Sequence, residues 1–188
     1  MKTITVLVGS IRKESANFRF ARALEKLAGS RFRFDYPDLG ALPHYNDDLW
    51  PNPPAAVFDL KRRAEAADAL LFVTPEFNRS VPPILTNALA WGSRPWGHSS
   101  WAGKAGAVVG TSPGVIGTAA AQAHLRSILP ALDVVLLGQP EVYFQNKPGL
   151  IGNEFEITDE GTRAFLEGWV SRFDAFVDRL GPAARKAA

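Results

Sequence analysis

The sequence contains no cysteine, which excludes disulfides, thiolate nucleophiles and cysteine-ligated metal centres. Histidine is scarce: His44, His98 and His124 stand apart, with no H-x-x-x-H or H-E-x-x-H spacing, and this argues against a metal site. Charge of one sign is missing too. A formal net charge of +2, with no basic run interleaved with aromatics, gives no footing for nucleic-acid binding. No uninterrupted apolar stretch is long enough to span a bilayer. Met1-Lys2-Thr3 leads directly into a strand pattern rather than the apolar region of a secretory signal. There is no internal repeat and no low-complexity tract. A cytoplasmic protein is the simplest expectation.

What remains is an ordinary globular composition, with 46% hydrophobic and 21% charged residues over 188 positions. That length suits one domain, expected over residues 1–180, with a frayed tail at 181–188. The chain is organised around Val8-Gly9-Ser10-Ile11-Arg12-Lys13-Glu14-Ser15-Ala16-Asn17. Ahead of it, Ile4 to Val8 reads as a buried parallel strand. Behind it, Phe18, Phe20, Ala21 and Leu24 recur at helical spacing, so a helix opens near Ser15. A helix N-terminus presents unpaired amides and a favourable dipole to an anion. Ser10, Ser15 and Asn17 add short donors and Arg12 a fixed cation, a set suited to phosphate. The loop is neither a P-loop nor a G-x-G-x-x-G fingerprint. Taken alone it could equally be a capped turn with Ser15 as N-cap and a solvated Arg12.

Further along, residues 31–36 alternate as a strand with one exposed face, and Ala69 to Thr74 and Ala105 to Val109 are apolar strands. Val134 to Leu137 is a short fourth repeat of that pattern, and Val142 to Phe144 an extended piece. Helices are expected at 55–66, after Pro82-Pro83, at 118–129, and from a Thr158 cap to Leu180 with Phe165, Trp169, Phe173 and Phe176 inward. The long connection at 37–54 carries Leu42, Pro43, Tyr45 and Trp50, apolar groups that call for cover from a ligand or another subunit.

Strands alternating with helices make an α/β fold: a flavodoxin-like three-layer sandwich, its five-stranded parallel sheet in the order 2-1-3-4-5 with helices on both faces. In that order ligands sit beyond the carboxyl ends of the strands at the β1/β3 switch point. The loops after strands one, three and four are then neighbours, and one site made from three loops is expected. The second of these, Pro75-Glu76-Phe77-Asn78, offers a flat ring and main-chain amides to an aromatic heterocycle, with Glu76 more suited to bracing than to catalysis. The third, Gly110-Thr111-Ser112-Pro113-Gly114, matches the G-x-S-x-G nucleophile elbow of serine hydrolases. A hydrolase needs an acid between that serine and its histidine. Residues 113–123 hold none before His124, the last histidine, so the triad cannot be completed in order. Close approach of backbone to a planar ligand explains the glycines better.

Gly9-Ser10-x-Arg12-x-x-Ser15-x-Asn17, then Thr74-Pro75-Glu76-Phe77-Asn78 through Pro82 and Asn87-Ala88, then Ser112-x-Gly114-x-x-Gly117, resemble the NADPH-dependent FMN reductase family. That family includes flavodoxin-like quinone, chromate and azo-dye reductases. The resemblance implies FMN, with its phosphate on Ser10, Arg12, Ser15 and Asn17. It also implies a flavin ring against Pro75, Glu76, Phe77 and Asn78, with Ser112, Gly114 and Gly117 on the third side. NADPH or NADH would be co-substrate, a quinone, azo compound or metal oxyanion the acceptor, and a homodimer or dimer of dimers the assembly. Trp91, Trp96 and Trp101 would supply interface surface, unless they complete the core. Phe77 replaces the usual Tyr, Pro83 a common Gly, Thr86 a common Lys, Ala90 a frequent Asp and Thr118 a Gly. The reading from another class is an electron carrier with no NAD(P)H reaction of its own, for which a charge of +2 is unusual.

Overall fold

The computed structural model describes residues 1–181; of the expected tail only Gly181 is among them. Strands β1 (Lys2–Val8), β2 (Phe32–Asp35), β3 (Ala69–Val73) and β4 (Ala105–Ser112) run parallel in the order β2-β1-β3-β4. Beyond β4 the edge position is shared. β5 (Val135–Leu136) pairs with Ala105 and Gly106, while β6 (Val142–Gln145) pairs with residues 109–112. The expected fifth strand and the extended piece after it are thus two halves of one edge, interrupted at residues 138–141.

Side chains alternate across the sheet, as strand geometry requires. Ile4, Val6, Leu71, Val73, Ala107 and Val109 face helices α1 (Ala16–Ala28) and α5 (Glu160–Arg179). Leu7, Leu70, Phe72 and Val108 face α2 (Ala55–Ala66), α3 (Pro83–Gly92) and α4 (Ala119–Ala131). Two apolar layers result, one on each face, so the sheet is a buried centre plane and its C-terminal rim is where the loops gather.

Several expectations need correction. The connection at 37–54 requires no outside cover, because the chain covers it. Leu39 and Leu42 are buried, Tyr45 and Trp50 pack edge-on against Trp91, and Asn87 both donates to Pro43 O and accepts from Tyr45 N. Trp91 and Trp101 are fully buried, and their indole N–H groups donate to Pro43 O and Leu89 O. They are core, not interface. A side chain at Gly92 would collide with the Trp101 ring, so that glycine is fixed by packing. Trp96 is different, at 86% exposed. The last helix is capped by Asp159, whose carboxylate accepts from Thr162 N, rather than by Thr158. Phe165 is turned outward, and Leu166, Val170 and Val177 fill the inner face beside Trp169 and Phe173.

Candidate functional site

The loop after β1 is held at both ends. Gly9 N donates to Val73 O at 2.8 Å, and a Cβ on Gly9 would press on Leu85, Pro82 and Pro75. At its far end Ser15 is the N-cap of α1, its Oγ accepting from Phe18 N at 3.1 Å. Asn17 is buried and its side chain is engaged through one amide proton and its oxygen. Its Nδ2 donates to Thr111 O and its Oδ1 accepts from Thr111 N, both at 3.0 Å. The side chain expected to serve as a phosphate donor also splices α1 to the end of β4, with one amide proton left uncommitted among the described residues. Ser10 and Arg12 stay open at the rim; Ser10 Oγ accepts only a long bond from Arg12 N, 3.4 Å. Among the described residues, the backbone N–H groups of Ala16 and Asn17 have no protein acceptor, as the opening turn of a helix requires.

The loop after β3 is a two-residue hairpin. Phe77 and Ser80 exchange both backbone hydrogen bonds, at 3.0 and 2.9 Å, around Asn78 (φ 51°) and Arg79 (φ 63°). Two successive left-handed residues are what a tight primed turn needs, and an arginine there is uncommon. The turn leaves Phe77 52% exposed. Glu76 braces it. Its Oε2 accepts from Ala120 N and Ala121 N at 3.0 and 3.2 Å, and its Oε1 pairs with Arg79 at 2.8 Å. Helix α4 has no cap of its own, since Thr118 makes no side-chain capping bond, so Glu76 caps it from another loop. Burial works against the charged carboxyl, but the Ala121 amide, the Arg79 guanidinium and the Ala120 amide together hold its pKa below the ordinary value.

The third loop, after β4, is closed by Ser112 Oγ donating to Gly114 O at 3.1 Å. The nearest histidine, His124, is engaged instead with Ser80 Oγ at 3.1 Å, so no serine–histidine pair forms at Ser112. The glycines here divide by cause, and the single explanation of ligand approach does not hold for all of them. Gly110 is dictated by Thr74 O and the Thr118 hydroxyl, and Gly117 by φ +55° and the Tyr143 backbone. Gly114 alone faces open space, its nearest neighbour Ser112 Oγ at 3.9 Å from an added Cβ. Thr118 sits at φ 69°, where the family's glycine would be at ease; its hydroxyl is gripped by Gln122 Nε2 at 3.1 Å.

The three loops therefore meet at one rim, tied by Asn17 to Thr111, Gly9 to Val73 and Glu76 to α4. A cleft of about 310 Å³ opens there between Ser10, Ile11 and Arg12 on one side and Phe77, Pro82, Pro83 and Ile84 on the other. No residue of the third loop lines it. Glu76 braces as the sequence suggests, but its partners on α4, and the Thr111 partner of Asn17, carry no sequence signal because they lie 44 to 45 and 94 residues away.

Known proteins resemble this chain in sequence and fold. The sequence model for NADPH-dependent FMN reductases matches residues 2–149. A 2-hydroxy-1,4-benzoquinone reductase of a Burkholderia species is 47% identical over 174 residues, covering 93% of this chain and 95% of that protein. A quinone reductase of Pseudomonas putida is 43% identical over 176 residues, covering 93% and 94%. The solved structure of FerB, a flavoenzyme NAD(P)H:(acceptor) oxidoreductase from Paracoccus denitrificans, superposes with a TM-score of 0.94 at 46% identity, over 96% of this chain and all of that one. With a family match over most of its length and relatives aligned nearly end to end, the chain belongs to the NADPH-dependent FMN reductase family.

Proposed function

We propose that the chain is an FMN-dependent NAD(P)H oxidoreductase that reduces quinone-class acceptors. One observation carries the reading: a cation-bearing loop, a ring-bearing hairpin and a helix N-terminus are stitched together at the switch point of a flavodoxin-like sheet. The residues fit a flavin mononucleotide. Ser10 Oγ, the Arg12 guanidinium and the unpaired amides of Ala16 and Asn17 form a donor set for a phosphate dianion. Ser15 Oγ accepts from Phe18 N and keeps its own O–H for a phosphate, and Asn17 keeps one amide proton beside those ties to Thr111. The exposed Phe77 ring and the apolar wall of Pro82, Pro83 and Ile84 suit a planar ring.

Bound between these loops, FMN would supply two-electron redox chemistry linking the nicotinamide nucleotide to the acceptor in a ping-pong cycle. The protein orients and binds. Phe77 offers a ring face without the hydroxyl of the usual tyrosine, and Glu76, already committed to α4, is a positioning group and not a proton donor. No catalytic acid or base is assigned. Azo compounds and metal oxyanions are further candidate acceptors, and the cytoplasm the proposed compartment. Among the described residues no helix is long and apolar enough to cross a membrane.

We also propose a homodimer or a dimer of dimers. Support comes from the exposed Trp96, with Arg94 5.7 Å from its ring, and from a groove between α3 and α4 where Leu89, Ala90, Ile128 and Leu132 stand beside Thr86, Ser93 and Arg94.

An absorbance spectrum of the purified protein, followed by anaerobic NADPH titration, tests the enzyme reading; a bound flavin that is not bleached by NADPH defeats it. Arg12→Ala is expected to weaken FMN binding about 10- to 100-fold, the loss of one charge-assisted phosphate contact. Unchanged flavin affinity in that variant would remove Arg12 from the phosphate set.

A further inference from the structure

A second cleft, of about 290 Å³, lies on the other side of the first loop, between it and the end of β2. Ser10, Ile11 and Arg12 wall both hollows, so the tip of that loop is a partition between two compartments on one rim. Phe18 and Tyr36 form an aromatic wall, with ring centroids 5.5 Å apart and planes tilted by 58°. Buried Val8 and Leu39 make the base apolar. Ile11 reaches toward the turn at 39–41, its Cγ2 only 3.2 Å from where a Cβ on Gly40 would stand. Lys13 and Arg12 bring two cations to the opening. Asp38 brings one carboxylate, whose Oδ1 accepts from Gly40 N at 2.9 Å and whose Oδ2 has no protein partner among the described residues.

These groups select a ligand by chemistry. An aromatic wall over an apolar base takes a flat heterocycle. A free carboxylate oxygen accepts from sugar hydroxyls, and lysine and arginine take phosphate. A quinone would use neither the acid nor the cations. In dinucleotide-binding α/β folds an acidic side chain performs this same service for the adenosine ribose. The volume holds a nucleoside and not a whole dinucleotide. The position is also apt, since β2 lies two strands from β3, about 10 Å along the sheet from the ring-bearing hairpin.

We propose that this cleft binds the adenosine-phosphate half of the reduced nicotinamide nucleotide, with Asp38 taking ribose hydroxyls and Lys13 a phosphate. The identity of the dinucleotide rests on the function proposed above; the cleft's taste for an adenine nucleotide does not. ADP is therefore the probe. Titrated calorimetrically into the FMN-loaded protein, it is expected to bind, and to compete with NADH and NADPH in quinone-reductase turnover. Lys13→Glu is expected to weaken ADP and to raise the nucleotide KM about three- to tenfold, with kcat, quinone KM and flavin content unchanged. Asp38→Asn keeps an oxygen for Gly40 N but removes a negative charge from the ribose position, and so shifts preference from NADH toward NADPH. Absence of ADP binding, or ADP affinity and nucleotide KM both unchanged in the two variants, overturns the assignment. Flavin absorbance in the same samples bears on the earlier reading alone, so the two failures are told apart.

Discussion

Single residues at the rim divide into those the fold demands and those left free for a ligand, and glycine substitution separates them. Gly117 combines a left-handed φ with close approach of the Tyr143 backbone, so Gly117→Ala is expected to cost about 2–5 kcal/mol in urea unfolding. Gly114 has neither constraint, and Gly114→Ala is expected to leave stability within about 0.5 kcal/mol. If the flavin ring lies against that position, the same substitution weakens FMN binding; equal stability loss in both variants would refute the division. The sequence could name Ser10, Arg12 and the PEFN run, because their spacing is a pattern in one dimension. It could not reveal that the Asn17 amide pairs with the Thr111 backbone, or that Trp91 and Trp101 are buried while Trp96 is not. Those outcomes depend on what lies opposite in space.

Among the elements, α4 is the one whose start is built by another segment. Its first amides are met by Glu76 from the hairpin after β3, which couples that hairpin to the third loop. The sign of the pH effect follows from the lowered folded-state pKa. The stabilisation is present above the ordinary carboxyl value of 4.5 and is lost as pH falls through the depressed one. Glu76→Gln is therefore expected to be less stable than wild type by about 1.5–3 kcal/mol at neutral pH, with the gap closing on acidification below 4.5. A gap independent of pH would assign Glu76 a packing role instead. Strand and helix identities were legible because hydrophobic period reports burial directly: β3 and α2 fall where the pattern places them. Boundaries governed by hydrogen bonds were less so. Asp159 displaces Thr158 as cap, and β4 runs through Gly110-Thr111-Ser112, where glycine suggested a loop.

For the molecule as a whole, the order 2-1-3-4-5 was readable from the alternation of strands and helices, while the partition of the rim into two hollows was not. That partition depends on Ile11 reaching the turn at Gly40. Assembly is the remaining property at this scale. Trp96→Ser is expected to shift sedimentation toward a smaller species without altering the monomer's unfolding midpoint, because its ring is largely outside the core. An unchanged sedimentation coefficient would place the contact elsewhere. The divided edge of the sheet has a practical corollary. Arg126 grips Leu137 O and lies 3.5 Å from the Glu141 carboxylate, and Gln122 holds Val142 O, so each half is anchored to α4 independently of the residues joining them. The joint at 138–140 is separated from the rim by the four residues of β6, about 13 Å. Extra sequence grafted there, such as an epitope or a fluorescent reporter, would hang from the side of the particle and leave the chemistry at its top undisturbed.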